Sequence, residues 1–126
     1  MDHEIRNVQT NVLSGEWSKF NQVTYEYLAN DGNWEAHKRE VYDRGNGAAI
    51  LLYNKKQNTV ILTRQFRLPT YLNGNSSGML IEACAGLLDN EHPDDAIRRE
   101  TEEETGYKIE KIQKIFEAYM SPGSVT

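Results

Sequence analysis

Four glutamates cluster within a five-residue stretch of this chain, and three of them share one helical face. They are Glu100, Glu102, Glu103 and Glu104. Because residues three and four apart project together, Glu100, Glu103 and Glu104 bring their carboxylates close, while Glu102 points elsewhere. A divalent cation removes the repulsion between them, and oxygen ligands without clustered Cys or His favour Mg²⁺, or alternatively Mn²⁺, over zinc. The competing interpretation is a solvated acidic helix face.

The residues flanking the glutamates predict where their helix begins and ends. Pro93 suits a first helical turn, and Asp94 and Asp95 complement the positive end of the helix dipole. Gly106 stands where a left-handed C-terminal cap is expected. The sequence therefore predicts a helix over Pro93–Thr105.

The segment from Gly86 to Tyr107 resembles the signature of the Nudix hydrolases. That signature is Gly, five residues, Glu, seven residues, Arg-Glu, an apolar residue, any residue, Glu-Glu, any residue, Gly and an apolar residue. Residues 99–107, Arg-Glu-Thr-Glu-Glu-Glu-Thr-Gly-Tyr, match its second half. Thr101 stands at the position of the usual aliphatic residue, and the stretch from Gly86 to Arg99 is one residue shorter than the pattern. Glu91 falls on the isolated glutamate position, which places the deletion in the loop before it.

The resemblance implies a loop–helix–loop that binds divalent metal and hydrolyses a nucleoside diphosphate linked to another moiety. By position, Glu100, Glu103 and Glu104 would be the metal ligands and catalytic residues. The backbone carbonyl of Ala85 would be a further metal ligand. An ion pair between Glu91 and Arg99 would fix the loop on the helix.

The chain as a whole reads as an α/β fold. Its predicted strands are, in chain order, Ser18–Leu28, Lys38–Tyr42, Gly47–Tyr53, Thr59–Thr63, Met79–Ala83 and Lys108–Met120. The turn signal at residues 30–33 joins the first two into a hairpin. The resemblance implies a Nudix-type α/β/α sandwich with a mixed sheet, preceded by this antiparallel hairpin. This resemblance divides the chain into two segments. Residues 1–44 would be N-terminal dimerisation strands, and residues 45–126 would be the Nudix catalytic domain.

Outside the signature, residues 64–67 (Arg-Gln-Phe-Arg), Glu82, residues 85–86 and residues 120–123 resemble the nucleoside-diphosphate-sugar pyrophosphatase branch. Residues 37–47 and 83–90 resemble most of all the members of that branch that act on GDP-mannose. In that branch Arg67 would hold a phosphate, and Tyr42, Arg44 and Glu82 would lie near the nucleotide or sugar. Arg39 would reach the partner's site in a homodimer formed through the N-terminal strands. The plain alternatives are a surface role for the arginines, packing for Tyr42 and an arginine partner for Glu82.

Composition limits the other function classes. The net charge of −5 argues against a broad nucleic-acid surface, and no long apolar run predicts a membrane span. The single cysteine, Cys84, suits a reducing cytoplasm and is expected to be a small buried residue. The N-terminus lacks the pattern of a secretory signal. The three histidines, His3, His37 and His92, lack metal-ligand spacing and are expected at the surface.

The favoured function is Mg²⁺-dependent hydrolysis of a nucleotide sugar, with GDP-mannose split into GMP and mannose 1-phosphate. The alternatives are the same chemistry on ADP-ribose or another sugar nucleotide, or a nucleotide-binding fragment with weak catalysis. Few residues follow Tyr107, whereas the branch resembles a longer protein with further strands and a second helix. The fold is therefore expected to lack its C-terminal part, either as a fragment or as a short protein that completes its sheet through a partner.

Overall fold

The computed structural model describes residues 4–126, so the predicted surface position of His3 lies outside the described residues. The chain divides into two compact units. The first consists of residues up to Gly45 together with Phe116–Thr126, and the second consists of Asn46–Ile115. The two units are described separately below.

The first unit is a three-stranded antiparallel meander. Its strands are β1 (Ile5–Ser14), β2 (Lys19–Leu28) and β3 (Trp34–Asp43), in the order β1-β2-β3. The predicted hairpin is β2–β3 and is confirmed. The N–H of Asn33 donates to the Asp31 carboxylate at 3.0 Å, and Gly32 has a φ of 83°. These residues close the turn that the sequence signalled.

Strand β1 was not predicted, because its pairing is irregular. The register with β2 shifts between Arg6 and Gln9, where Asn7 has a φ of 53°, and again between Val12 and Ser14. Each shift interrupts the alternation of side chains that reveals a strand in a sequence.

His37, which was predicted at the surface, is partly exposed and makes contacts that the sequence did not indicate. This residue lies on β3, is half-buried and stacks on Tyr25 with ring centroids 5.5 Å apart. Its Nε2 lies 3.3 Å from the carboxylate of Glu35. Cross-strand aromatic packing therefore holds His37 against the sheet.

The last residues of the chain lie along the end of β3. The N–H of Tyr42 donates to Ser124 O at 2.9 Å, and the N–H of Thr126 donates to Tyr42 O at 3.2 Å. The N–H of Gly45 and the hydroxyl of Thr126 both donate to the Asp43 carboxylate and hold its pKa below the ordinary value, Gly45 most strongly. These bonds tie the C-terminal segment to the first unit.

The second unit contains six short strands and two helices. They are β4 (Gly47–Ile50), β5 (Leu52–Asn54), β6 (Thr59–Ile61), β7 (Thr63–Phe66), α1 (Leu68–Leu72), β8 (Met79–Glu82), β9 (Cys84–Leu87) and α2 (Pro93–Thr105). Strand β4 pairs with β9, β5 with β6 and β7 with β8. Helix α1 was not predicted. The predicted strand Gly47–Tyr53 is interrupted at Leu51, which separates β4 from β5.

The predicted α/β class is confirmed, but the strand pairings differ from the expected mixed sheet. All pairings within the named sheets are antiparallel. The parallel contact described among residues 4–126 is an isolated bridge between Tyr42 and Val125. In the same part of the chain, no helix is long and apolar enough to cross a membrane.

The predicted strand over Lys108–Met120 is wrong. Residues 108–119 form no regular element, and none of the named strands pairs with them. Strand backbone needs a neighbouring strand for its hydrogen bonds, and an apolar sequence alone does not supply one. Instead, the Arg98 guanidinium on α2 donates to the carbonyl of Ile109.

Helix α2 has the predicted bounds and packs on β9 and β4. His92 lies at the surface as predicted. It also caps the N-terminus of α2, with Nδ1 accepting from the N–H of Asp94 at 3.3 Å. Gly106 ends it with a φ of 74°. Cys84 on β9 is fully buried as predicted, against Thr101 on α2. Thr101 stands where the Nudix signature usually has an aliphatic residue. Its hydroxyl donates to Ile97 O at 2.7 Å, so this buried polar group has a hydrogen-bond partner within its own helix.

Candidate metal and diphosphate site

The connection from β9 to α2 closes through a tight turn. The N–H of Glu91 donates to Leu88 O at 2.7 Å, and the two residues between them, Asp89 and Asn90, have φ values of 46° and 68°. Asp and Asn tolerate this left-handed backbone better than other side chains. A loop one residue shorter than the Nudix pattern therefore still delivers the chain to α2.

Arg99 is the cation at the centre of the acidic face. Its Nε lies 3.4 Å from Glu91 Oε2, which confirms the predicted ion pair between the loop and the helix. Its Nη1 lies 2.8 Å from Glu100 Oε1 and 3.4 Å from Glu103 Oε2. These carboxylates raise the pKa of Arg99, chiefly through the hydrogen bond with Glu100. The Arg99 guanidinium thus offsets the repulsion among the carboxylates of Glu91, Glu100 and Glu103.

Gly86 allows Glu100 to lie directly against β9. A Cβ added at Gly86 would come within 2.2 Å of Glu100 Cγ and 2.3 Å of its Cδ, distances that real side chains do not reach. The Glu100 side chain therefore occupies the space that any other residue at position 86 would fill. This contact places the carboxylate beside the backbone that follows Ala85.

Glu104 has a different set of partners. The amide Nε2 of Gln65 on β7 donates to Glu104 Oε1 at 3.0 Å. Both residues line a groove of about 420 Å³ that also includes Arg64 and Tyr107. Sequence reasoning missed Gln65, because a contact between residues this far apart leaves no local pattern.

The three predicted metal ligands therefore divide between two supports, with Glu100 and Glu103 on Arg99 and Glu104 on Gln65. Within residues 4–126, no three His, Cys, Asp or Glu side chains come close enough together to enclose a metal ion. The donor set nevertheless consists of hard carboxylate oxygens, and the space beside Gly86 is built around one of them. These residues fit Mg²⁺ or Mn²⁺ in chemistry, and their assignment as ligands stays a prediction.

The predicted substrate-binding residues fall into two groups. Arg67 and Glu82 lie together in the second unit, where Arg67 Nε is 2.7 Å from Glu82 Oε2. This is the arginine partner that the sequence offered as the alternative role of Glu82. Tyr42, Arg44 and Arg39 belong to the first unit, and Nη1 of Arg39 donates to the carbonyl of Lys38 at 2.8 Å.

Burial and charge act together on the Cys84 thiol. Its pKa is raised to about 11, chiefly by burial and then by a hydrogen bond with Glu104 and the charges of Glu104 and Glu100, while a hydrogen bond with Thr101 opposes them. The thiol therefore stays protonated at neutral pH, which makes Cys84 a packing residue rather than a nucleophile.

Replacing Gly86 by Ala should destabilise the second unit by about 1–3 kcal/mol, because the added methyl group forces Glu100 off β9. Urea unfolding followed by circular dichroism measures the effect. The matched control is Gly123→Ala, where an added Cβ meets nothing within 4 Å. Equal stability of the two variants would contradict the close approach of Glu100.

Cys84 should resist alkylation by iodoacetamide at about pH 8 in EDTA, whereas the urea-unfolded chain should react fully, as measured by mass spectrometry. The unfolded thiol ionises near 9.0 and the folded one near 11. Between these values unfolding releases a proton, so folding stability should decrease as the pH rises. Rapid labelling of the folded chain would contradict the buried, protonated state of the Cys84 thiol.

Two family models match this chain. One, described as the GDP-mannose pyrophosphatase NudK N-terminal domain, matches residues 4–42, and the other, the NUDIX domain, matches residues 43–124. A GDP-mannose pyrophosphatase of Yersinia pestis is 59% identical over all 126 residues. Those of Yersinia enterocolitica and Escherichia coli are each 55% identical over the same length. The chain spans 64% of the Yersinia pestis protein and 66% of the other two.

Among solved structures, an ADP compounds hydrolase superposes with a TM-score of 0.73 at 20% identity. The match covers 100% of this chain and 63% of the other. At that identity the likeness concerns the fold alone. Since the NUDIX model matches well over half of the residues, and includes the loop, Arg99 and the glutamates of α2, the chain belongs to the Nudix family.

Proposed function

We propose that this chain carries the metal-binding and diphosphate-binding residues of a nucleotide-sugar pyrophosphatase whose substrate is GDP-mannose. The observation that supports this is the 55–59% identity to proteins named GDP-mannose pyrophosphatase, which extends over the first unit as well as the Nudix segment. In the proposed reaction, a water oxygen bonds to one phosphorus as the bridging P–O bond breaks. The products are GMP and mannose 1-phosphate.

The proposed cofactor is Mg²⁺, with Mn²⁺ able to replace it. Glu100, Glu103, Glu104 and the carbonyl of Ala85 would hold the ion. When bound, such an ion neutralises diphosphate charge and lowers the pKa of a nearby water. The glutamates are also the candidates for the general base, and Arg99 keeps two of them oriented before substrate arrives.

The proposed diphosphate ligand is Arg67. Because Glu82 engages its Nε, the terminal amino groups of the guanidinium are the atoms with which Arg67 would hold a phosphate. Glu82 would then act by fixing the plane of that fork. Tyr42 and Arg44 are assigned to the nucleotide or sugar, and Arg39 to the site of a partner subunit.

The chain should hydrolyse GDP-mannose in a Mg²⁺-dependent reaction, tested on a panel that includes ADP-ribose and other sugar nucleotides, with products identified by chromatography. Glu103→Gln and Glu104→Gln each remove a charged ligand and should lower the rate at least about tenfold, whereas Glu102→Gln, off the shared face, serves as the matched control.

The outcomes separate the candidate functions. Release of AMP from ADP-ribose in preference to GMP from GDP-mannose would contradict the proposed substrate. Nucleotide binding without any product would instead indicate a binding module. Equal losses in all three glutamine variants would contradict the division of the glutamates by face.

We also propose that residues 1–44 form a homodimer interface and residues 45–126 the catalytic segment of a cytoplasmic protein. All ten residues of β1 are exposed, and β1 is the edge of its sheet. Trp17, in the turn that follows, is 92% exposed. An edge strand with apolar side chains favours pairing with another chain. A single buried cysteine is compatible with a reducing compartment.

In sedimentation velocity the chain should be a dimer that Val12→Lys shifts towards monomer, because the substitution places a charge among exposed apolar residues of β1. Gln9→Lys is the matched control. Gln9 pairs with Thr24 and Val12 with Asn21, so their side chains leave opposite faces of the sheet. A monomeric parent chain, or a dimer indifferent to Val12→Lys, would contradict the proposed interface.

A further inference from the structure

We propose that Gln65 is a positioning residue for Glu104: its amide holds one carboxylate oxygen and so fixes the orientation in which the Glu104 carboxylate would meet a divalent cation. The inference rests on the metal site of the proposed function and adds a residue that lies outside the Nudix signature. The contact that carries it is the 3.0 Å hydrogen bond from Gln65 Nε2 to Glu104 Oε1.

The strand orients Gln65 towards the helix. Along β7, Thr63 and Gln65 are half-buried while Arg64 and Phe66 are exposed, which is the alternation of a strand with one covered face. Gln65 belongs to the covered face, and its amide reaches Glu104 near the end of α2. Arg64 is exposed, and the side chain that bonds to the Glu104 carboxylate from this strand is that of Gln65.

A second contact fixes the amide. Gln65 Nε2 also lies 3.5 Å from the Thr63 hydroxyl, which donates to the carbonyl of Glu82 at 3.3 Å. Because a carboxylate only accepts, the contact with Glu104 requires the amide nitrogen of Gln65, and its second hydrogen is available to the Thr63 hydroxyl. The rotamer of Gln65 is thereby set by its own strand and by β8.

The chemistry of the donor matters as much as its position. Arg99 orients Glu100 and Glu103 but also contributes a positive charge beside them. Gln65 is neutral, so it orients Glu104 without offsetting the charge that attracts a cation. Ligating carboxylates are commonly held in this way by an outer hydrogen bond, whose loss weakens metal binding about 10–100-fold.

The test measures Mn²⁺ alone, without substrate, by the loss of the free-ion signal in electron paramagnetic resonance. Gln65→Met keeps the length of the side chain and removes the donor, and should weaken Mn²⁺ binding about tenfold. Gln57→Met is the matched control in the exposed turn between β5 and β6 and should stay within about twofold. Circular dichroism checks that each variant is folded.

A double-mutant cycle separates positioning from general support. In a Glu104→Ala chain, where Glu100 and Glu103 remain, adding Gln65→Met should cause no further loss of Mn²⁺ affinity. The same fold-loss in both backgrounds, or full affinity in Gln65→Met, would overturn the positioning role while leaving the metal site intact. Failure of the parent chain to bind Mn²⁺ would overturn the proposed metal site and this inference together.

Discussion

Three carboxylates on one face of a 13-residue helix repel one another, and the opposing charge comes first from the same helix. Arg99 precedes Glu100 directly and reaches Glu103 one turn later, so its guanidinium contacts both as soon as α2 forms. Its Nε also holds Glu91, which closes the preceding loop onto the helix. One arginine therefore couples helix stability, loop conformation and the orientation of two predicted ligands.

Close packing of α2 on β9 depends on small side chains at the contact. Gly86 has no Cβ to displace Glu100, and Cys84 on β9 is buried against Thr101 on α2. The Thr101 hydroxyl is bonded to Ile97 O, so the polar atom costs little in an apolar setting. A larger residue at position 86 would displace the Glu100 side chain from the backbone next to Ala85.

The sequence predicted the features that depend on neighbouring residues. The bounds of α2 follow from Pro93 and Gly106, and the hairpin turn follows from residues 30–33, because caps and turns are decided within a few residues. Prediction from the sequence failed where a residue distant in the chain, or an irregular strand pairing, determines the structure. The bulges hide β1, the predicted strand over Lys108–Met120 has no strand beside it, and nothing near Gln65 indicates a contact with Glu104.

The two supports of the acidic face differ in what they require of the fold. Arg99 and its partners Glu100 and Glu103 belong to one helix, so their arrangement needs only local structure. Glu104 is bonded by Gln65 on β7, a strand that is distant in sequence and pairs with β8, so this contact needs tertiary structure. The arrangement of Glu100 and Glu103 thus forms with the helix, whereas that of Glu104 requires the strand that carries Gln65 to be in place. If Glu104 is a metal ligand, as proposed, the hydrogen bond from Gln65 would couple metal affinity to the tertiary folding of the second unit.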